Sequence, residues 1–260
     1  MLKKINFHTH TKRCKHAKGE DKDYIDAAIK NNLDILGFSD HGPYPDNRFS
    51  LRMNFNELEE YKSTLEKLKI KFKDFIHIKI GLEIEYLPSD DFYYNYLKNE
   101  LKFDYLALGQ HLFLTENGEL KNTYSLKSTK EYIEYAKSIC LGIKSGYFDF
   151  VAHPDLIFIN DFPWDENCDK ACNLIIDTAK KYDFILEFNA NGIRRGRKKY
   201  SDGERFPYPY EKFWNKVSLS GVKTIINSDC HTPEDIWDNT MDYAYTCLLY
   251  TSPSPRDMRR

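Results

Sequence analysis

Nine side chains in this 260-residue sequence are of the types that hold metal ions: His8, His10, His16, His41, Glu83, His111, His153, Asp229 and His231. Imidazole nitrogen and carboxylate oxygen, without thiolate, suit zinc, manganese or iron. His8 and His10 close the strand-like stretch Ile5-Asn6-Phe7. On a strand, residues two apart face one way and stand about 7 Å apart along the backbone. Asp229 and His231 repeat that spacing at the end of another apolar run, and Cys230 between them should face away from the ligands. A lone histidine is more often a hydrogen-bonded core or surface residue than a ligand. Here, however, seven of the eight histidines fall at the end of an apolar run or in the first loop, and only His77 starts one. An ion takes about four to six donors, so nine donors with a bridging carboxylate suit three ions better than one.

The elements that must position these residues are apolar runs alternating with helical patterns. The strand-like segments are 5–10, 33–41, 75–86, 103–111, 148–155, 184–189 and 223–231. Between them, helical spacing predicts helices over 21–32, from Asn54 or Asn56 to Phe72, and over 129–144, 166–182 and about 210–220. A short tyrosine-rich helix should follow the third strand, and a further one should begin at Pro233. Strands that alternate with helices form parallel sheets. Runs such as Tyr105-Leu-Ala-Leu are apolar on both faces, as strands between a core and a helical layer should be. Closing such a sheet into an α/β barrel sets strand seven beside strand one and gathers every strand C-terminus at one rim.

Composition bounds the rest. The formal net charge is −2 and charged residues are 30% of the chain, which gives no global basic field for nucleic acid or an anionic membrane. Mean hydropathy is −0.64, and no apolar run approaches the roughly 18 residues of a membrane span. The first strand begins within five residues, leaving no room for a leader, so a cytoplasmic location is expected. The six cysteines form no paired framework, which fits reduced thiols. One domain over 1–246 is expected. From Cys247 the text changes abruptly, and CLLYTSPSPRD resembles one reading frame of a sequencing-library adaptor. Residues 247–260 are therefore expected to be a non-native tail.

The motifs together resemble the PHP family of phosphoesterases, in its histidinol-phosphate phosphatase branch. They are His8-Thr-His10, Ser39-Asp40-His41-Gly-Pro, Gly81-Leu82-Glu83, Gly109-Gln110-His111, His153-Pro-Asp155 and Ser228-Asp229-Cys-His231, in family order. The resemblance implies a distorted seven-stranded (β/α) TIM-like barrel with three divalent ions, zinc, manganese or iron, at the C-terminal rim. It implies one ion on His8, His10, Glu83 and Asp229. A second would share Glu83 with His111 and His153, and a third would use His16, His41 and His231. Such a cluster activates a water for in-line attack on phosphorus. The implied activity is hydrolysis of L-histidinol phosphate in histidine biosynthesis. Asp40 is a candidate acid, or a carboxylate partner that orients a ligand imidazole. Arg194, Arg195 and Arg197, in the loop after strand six, are candidates to bind phosphate, and Arg52 is another. A small-molecule phosphate ester is the expected partner, with no nucleic acid and no membrane. The alternatives are another phosphomonoester or nucleotide as substrate, an amidohydrolase or deaminase, and a non-catalytic metal-binding module. The amidohydrolase pattern differs in placing a lone Asp on an eighth strand. A non-catalytic module would be expected to have lost ligands, and this sequence retains all nine.

Overall fold

The computed structural model describes residues 3–251. Seven strands form one sheet in chain order: β1 (Ile5–Asn6), β2 (Ile35–Phe38), β3 (His77–Ile84), β4 (Tyr105–Leu108), β5 (Phe150–Val151), β6 (Ile185–Asn189) and β7 (Thr224–Asn227). All neighbours run parallel. The sheet curls into a nearly closed barrel. At its seam Thr9 bridges Cys230, and His10 N–H donates to the Cys230 carbonyl at 3.0 Å. Amide side chains stitch the rest of the seam. The Asn227 Oδ1 accepts from Phe7 N–H at 2.8 Å, and the Asn6 Oδ1 accepts from Ser228 N–H at 2.9 Å.

Helices cover the outside, including Asp21–Lys30, Leu58–Lys71, Lys130–Ser145, Glu166–Lys181 and Glu211–Ser220. Their ends follow local chemistry. The Asp165 carboxylate accepts from the N–H groups of Asn167 and Cys168 at the start of one helix. Gly146 and Gly221 take left-handed conformations that end two others. Alternation along the strands separates two apolar layers. Leu36, Phe38, Ile78, Ile80, Leu82, Leu106 and Leu108 join the helices in the main core. Inside the barrel Tyr105, Ala107, Phe150 and Ala152 form a second cluster with Phe7, Ile185 and Ile225 packed on it. Tyr105 reaches across to donate to the carbonyls of Phe7 and Phe38, both at 2.8 Å. Gly37 and Gly81 leave room for it, since a Cβ at Gly81 would lie 2.6 Å from its ring.

The strands are shorter than their apolar text. β1 ends at Asn6, so His8 and His10 lie on chain that has already left the ladder. β5 keeps two residues. Two hairpins interrupt the rim loops, Leu112–Leu114 with Leu120–Asn122 and Lys198–Tyr200 with Gly203–Arg205, neither of which the sequence suggested. The helix expected from Pro233 is divided into a 3-10 turn, Pro233–Trp237, and a helix, Asn239–Thr251. Asp238 lies at the break because its carboxylate caps Thr240 and Met241 and binds Arg194. The expected junction at 246/247 falls within that last helix, and residues 252–260 of the expected tail lie outside the described residues. No helix among the described residues is long and apolar enough to cross a membrane.

Candidate metal centre

Above the Tyr105 layer, the barrel interior turns polar. The structure brings all nine sequence-predicted donors to the C-terminal rim, graded in depth. His8, His10, Glu83, His153 and Asp229 are buried, His41, His111 and His231 partly so, and His16 is exposed. Glu83 sits at the centre. Its Oε2 lies 3.3 Å from His8 Nε2, 3.4 Å from His10 Nε2 and 3.0 Å from His41 Nδ1. Its Oε1 lies 2.7 Å from His153 Nε2 and 3.5 Å from His111 Nε2. Asp229 Oδ1 completes one group, 3.5 Å from His8 Nε2 and 3.2 Å from His10 Nε2. Ligands held about 2.0–2.2 Å from a tetrahedral ion stand roughly 3.3–3.6 Å apart. His8, His10, Glu83 and Asp229 therefore have the spacing of ligands around an ion rather than of hydrogen-bonded pairs.

Unsatisfied atoms make the same point. His8 Nε2, both nitrogens of His10 and Glu83 Oε2 are buried without a hydrogen-bond partner. Such atoms are costly to leave unpaired unless something else binds them. At the mouth, His16 Nδ1 faces the Cys14 carbonyl at 2.8 Å and His231 Nδ1 faces the Asp229 carbonyl at 3.1 Å. Each carbonyl fixes its imidazole with the proton on Nδ1, so the two Nε2 atoms meet as lone pairs only 3.0 Å apart. A cation between them resolves that conflict. His10 also groups with His41 and His231, so the mouth donors are not divided cleanly from the floor donors.

Electrostatics keep Glu83, Asp229 and His10 in binding form. His8 and His111, which burial alone would lower, are raised by the carboxylates around them, Glu187, Asp229 and Glu83 for His8 and Glu83 and Glu85 for His111. Burial alone would raise Glu83, but His8, His111 and His41 outweigh it and hold the carboxyl well below its ordinary range. Asp229 is held low in the same way, its burial offset chiefly by His8 and His10. Burial, then His41 and His231, lowers His10, so its imidazole stays neutral. Burial pushes the Cys14 thiol up to about 12 and Cys230 up to about 11. Cys14 Sγ donates to the Thr11 carbonyl, and Cys230 packs in the main core. Two of these donors sit on left-handed backbone, His153 at φ 31° and Asp229 at φ 47°. Such conformations are strained for these residues and cluster where a site must aim a side chain.

The remaining sequence-predicted residues scatter. Arg195 lines an open cavity of about 640 Å³ whose floor includes Glu83, His153 and Asp229. Its guanidinium lies 5.7 Å from the Tyr208 ring and ion-pairs with no carboxylate among the described residues. Arg194 points elsewhere. It binds Asp238 at 2.9 Å, the Ser228 carbonyl at 3.0 Å and the Asp235 carbonyl at 3.1 Å. Arg197 donates to the Glu204 carbonyl and lies over Phe206, lining a different cavity. Arg52 borders the same cavity as Arg195, but Glu85 holds it with two bonds of 3.0 Å. Glu85 in turn stands 3.6 Å from His111 Nδ1, so Arg52 supports a candidate ligand through Glu85. Asp40 is buried and accepts from the Thr11 N–H and hydroxyl. Burial pushes its carboxyl up to about 7. It lies outside the lining of the cavity and ties the His10–Thr11 turn to β2.

Glu187 escaped the sequence reading. It lies on the inward face of β6, is fully buried, and its Oε1 accepts from His8 Nδ1 at 2.8 Å. The signal was present in Ile185, Glu187 and Asn189, which alternate with apolar residues and put two polar side chains inside the barrel.

Comparison with known proteins bears on this geometry. Residues 6–191 match the PHP domain. The chain is 25% identical over 236 residues to a Deinococcus radiodurans protein named "Probable histidinol-phosphatase", covering 88% of this chain and 86% of that one. It is 24% identical over 282 residues to the histidinol-phosphatase of Bacillus subtilis, covering 95% and 99%. Among solved structures, histidinol phosphate phosphatase from Lactococcus lactis, complexed with zinc, L-histidinol and phosphate, shares the fold. Its TM-score is 0.72 at 19% identity, over 96% of this chain and 94% of that one.

Proposed function

This chain belongs to the PHP domain family, and on that premise we propose that it is a metal-dependent histidinol-phosphatase, hydrolysing L-histidinol phosphate to L-histidinol and phosphate. The observation that carries the reading is the set of buried, unpartnered donor atoms on the floor of an open cavity. His8, His10, His16, His41, Glu83, His111, His153, Asp229 and His231 are the ligands in this reading, and three divalent ions of zinc, manganese or iron fit their number. When bound, such ions neutralise phosphate charge and supply an activated water.

The chain's own residues do the rest. Glu83, with both oxygens facing imidazoles, is the shared carboxylate at the centre. Carbonyls and Glu187 hold the Nδ1 protons of His16, His231 and His8, so each presents an Nε2 lone pair to the cavity. Arg195 takes phosphate oxygens from the wall, where a planar guanidinium can make two parallel bonds. Leu51, Phe49 and Tyr124 supply apolar lining for the organic part of the ester.

The test is phosphate release from L-histidinol phosphate beside a nucleoside monophosphate and a sugar phosphate, with zinc, manganese or iron added and with chelator. Rapid, chelator-sensitive release that strongly prefers histidinol phosphate is expected. Preference for another ester would overturn the substrate, and no release from any ester by metal-loaded protein would overturn the enzyme.

A further inference from the structure

Both oxygens of Glu187 are fully used, and each serves a different part of the cavity floor. Oε1 accepts from His8 Nδ1 at 2.8 Å and from Asn227 Nδ2 at 2.8 Å. Oε2 accepts from His153 N–H at 2.9 Å and from Asn189 Nδ2 at 2.8 Å. The same Asn189 amide donates to Asp229 Oδ2 at 3.1 Å. One carboxylate thus reaches His8 beside β1, His153 beyond β5 and, through an amide, Asp229 beyond β7. Every group that faces Glu187 is a donor.

We infer that Glu187 is the positioning residue that assembles the floor of the metal centre, fixing the His8 tautomer, holding the His153 backbone and, through Asn189, aiming the Asp229 carboxylate. This deepens the proposed function, since it rests on His8, His153 and Asp229 being ligands. It adds a residue that touches neither ion nor substrate. The inference has a sharp chemical signature. An amide in place of the carboxylate has one acceptor and one donor end, and both ends of the site present donors. Whichever way a glutamine turns, its NH2 meets two donors head-on. If the NH2 faces His8, the imidazole must move its proton to Nε2, which removes the lone pair aimed at the ion. If it faces His153, the N–H of a strained residue loses its acceptor.

The experiment compares wild type with Glu187→Gln and Glu187→Asp, using zinc as the probe in competition with a chromophoric chelator. Histidine nitrogen NMR on the zinc-loaded proteins supplies a second readout. Glu187→Gln is expected to weaken zinc binding by about 10–100-fold, the range seen when an outer partner of a ligand is lost. The His8 signals should shift away from the Nδ1–H form. Glu187→Asp keeps an all-acceptor group one methylene back and is expected to recover part of the affinity. Wild-type zinc affinity and an unchanged His8 tautomer in Glu187→Gln would overturn the inference. Should Glu187→Gln fail to fold, Asn189→Ser removes the link from Glu187 to Asp229 together with the acceptor of the Asn191 N–H, and zinc binding unaltered by that change would also overturn it. Because zinc binding is read directly, wild-type protein that binds zinc but hydrolyses no ester would sink the proposed enzyme and leave this inference standing.

Discussion

Arg194 donates to Asp238 and to the Ser228 and Asp235 carbonyls, while its neighbour Arg195 turns into the cavity. Adjacent residues of one type therefore predict opposite phenotypes. Arg195→Ala is expected to lower kcat/KM for the phosphate ester by roughly 10–100-fold, the loss of charged hydrogen bonds of about 1.5–3 kcal/mol, with the melting temperature unchanged. Arg194→Ala should instead destabilise the fold by a similar amount, seen as an earlier urea midpoint at unaltered slope, and spare KM. At Glu83, replacement by Gln removes one acceptor oxygen from a group that faces five imidazoles. Elemental analysis should then find fewer ions per chain than in wild type, and full loading would count against a shared carboxylate. Histidine is legible in the sequence because seven of the eight fall at strand ends or in the first loop, where a ligand role would put them. Arginine is not, because a short run such as Arg194-Arg195-Gly196-Arg197 turns through different directions, and only three-dimensional packing assigns each guanidinium its partner.

At the scale of elements, two glycines carry separate duties. A Cβ at Gly109 would lie 2.3 Å from Glu83 Oε1, and one at Gly81 would lie 2.6 Å from the Tyr105 ring. Gly81→Ala overpacks the apolar floor and is expected to cost about 1–3 kcal/mol in denaturant unfolding, with metal stoichiometry kept. Gly109→Ala pushes the central carboxylate aside, so zinc affinity should fall more than stability does. Equal effects of the two changes on both readouts would contradict this division. Seven strands, their order and the crossover helices were legible from apolar periodicity, since burial on both faces leaves a continuous signal. The strand ends were not. His8 and Phe7 both turn inward only because Asn6 and Asn227 take over the backbone pairing at the seam, and nothing in local spacing announces an amide doing a neighbouring strand's work. The rim hairpins were hidden for a related reason. Their strands are three residues long, too short for periodicity to register.

For the whole molecule, ligands bind the folded chain and so add to its stability by mass action, about 2.7 kcal/mol for an ion present at 100 times its dissociation constant. Chelation is therefore expected to lower the melting temperature of wild type, and readdition of zinc or manganese to restore it. An unchanged melting temperature would mean that the cluster binds no ion tightly. The seam gives this stabilisation a particular character. Past the ends of β1 and β7 the described backbone offers the Thr9–Cys230 bridge and the bonds from His10 N–H to Cys230 and from Lys18 N–H to His231. The candidate ligands His8 and His10 on one side, in contrast, face Asp229 and His231 on the other. A bound ion is then a removable cross-link between positions more than 200 residues apart, acting on chain entropy as a disulfide across a very long loop would. Contacts so distant in sequence form late, because loop closure must precede them. The ring should therefore open first when the protein unfolds, and metal should slow unfolding far more than it speeds refolding.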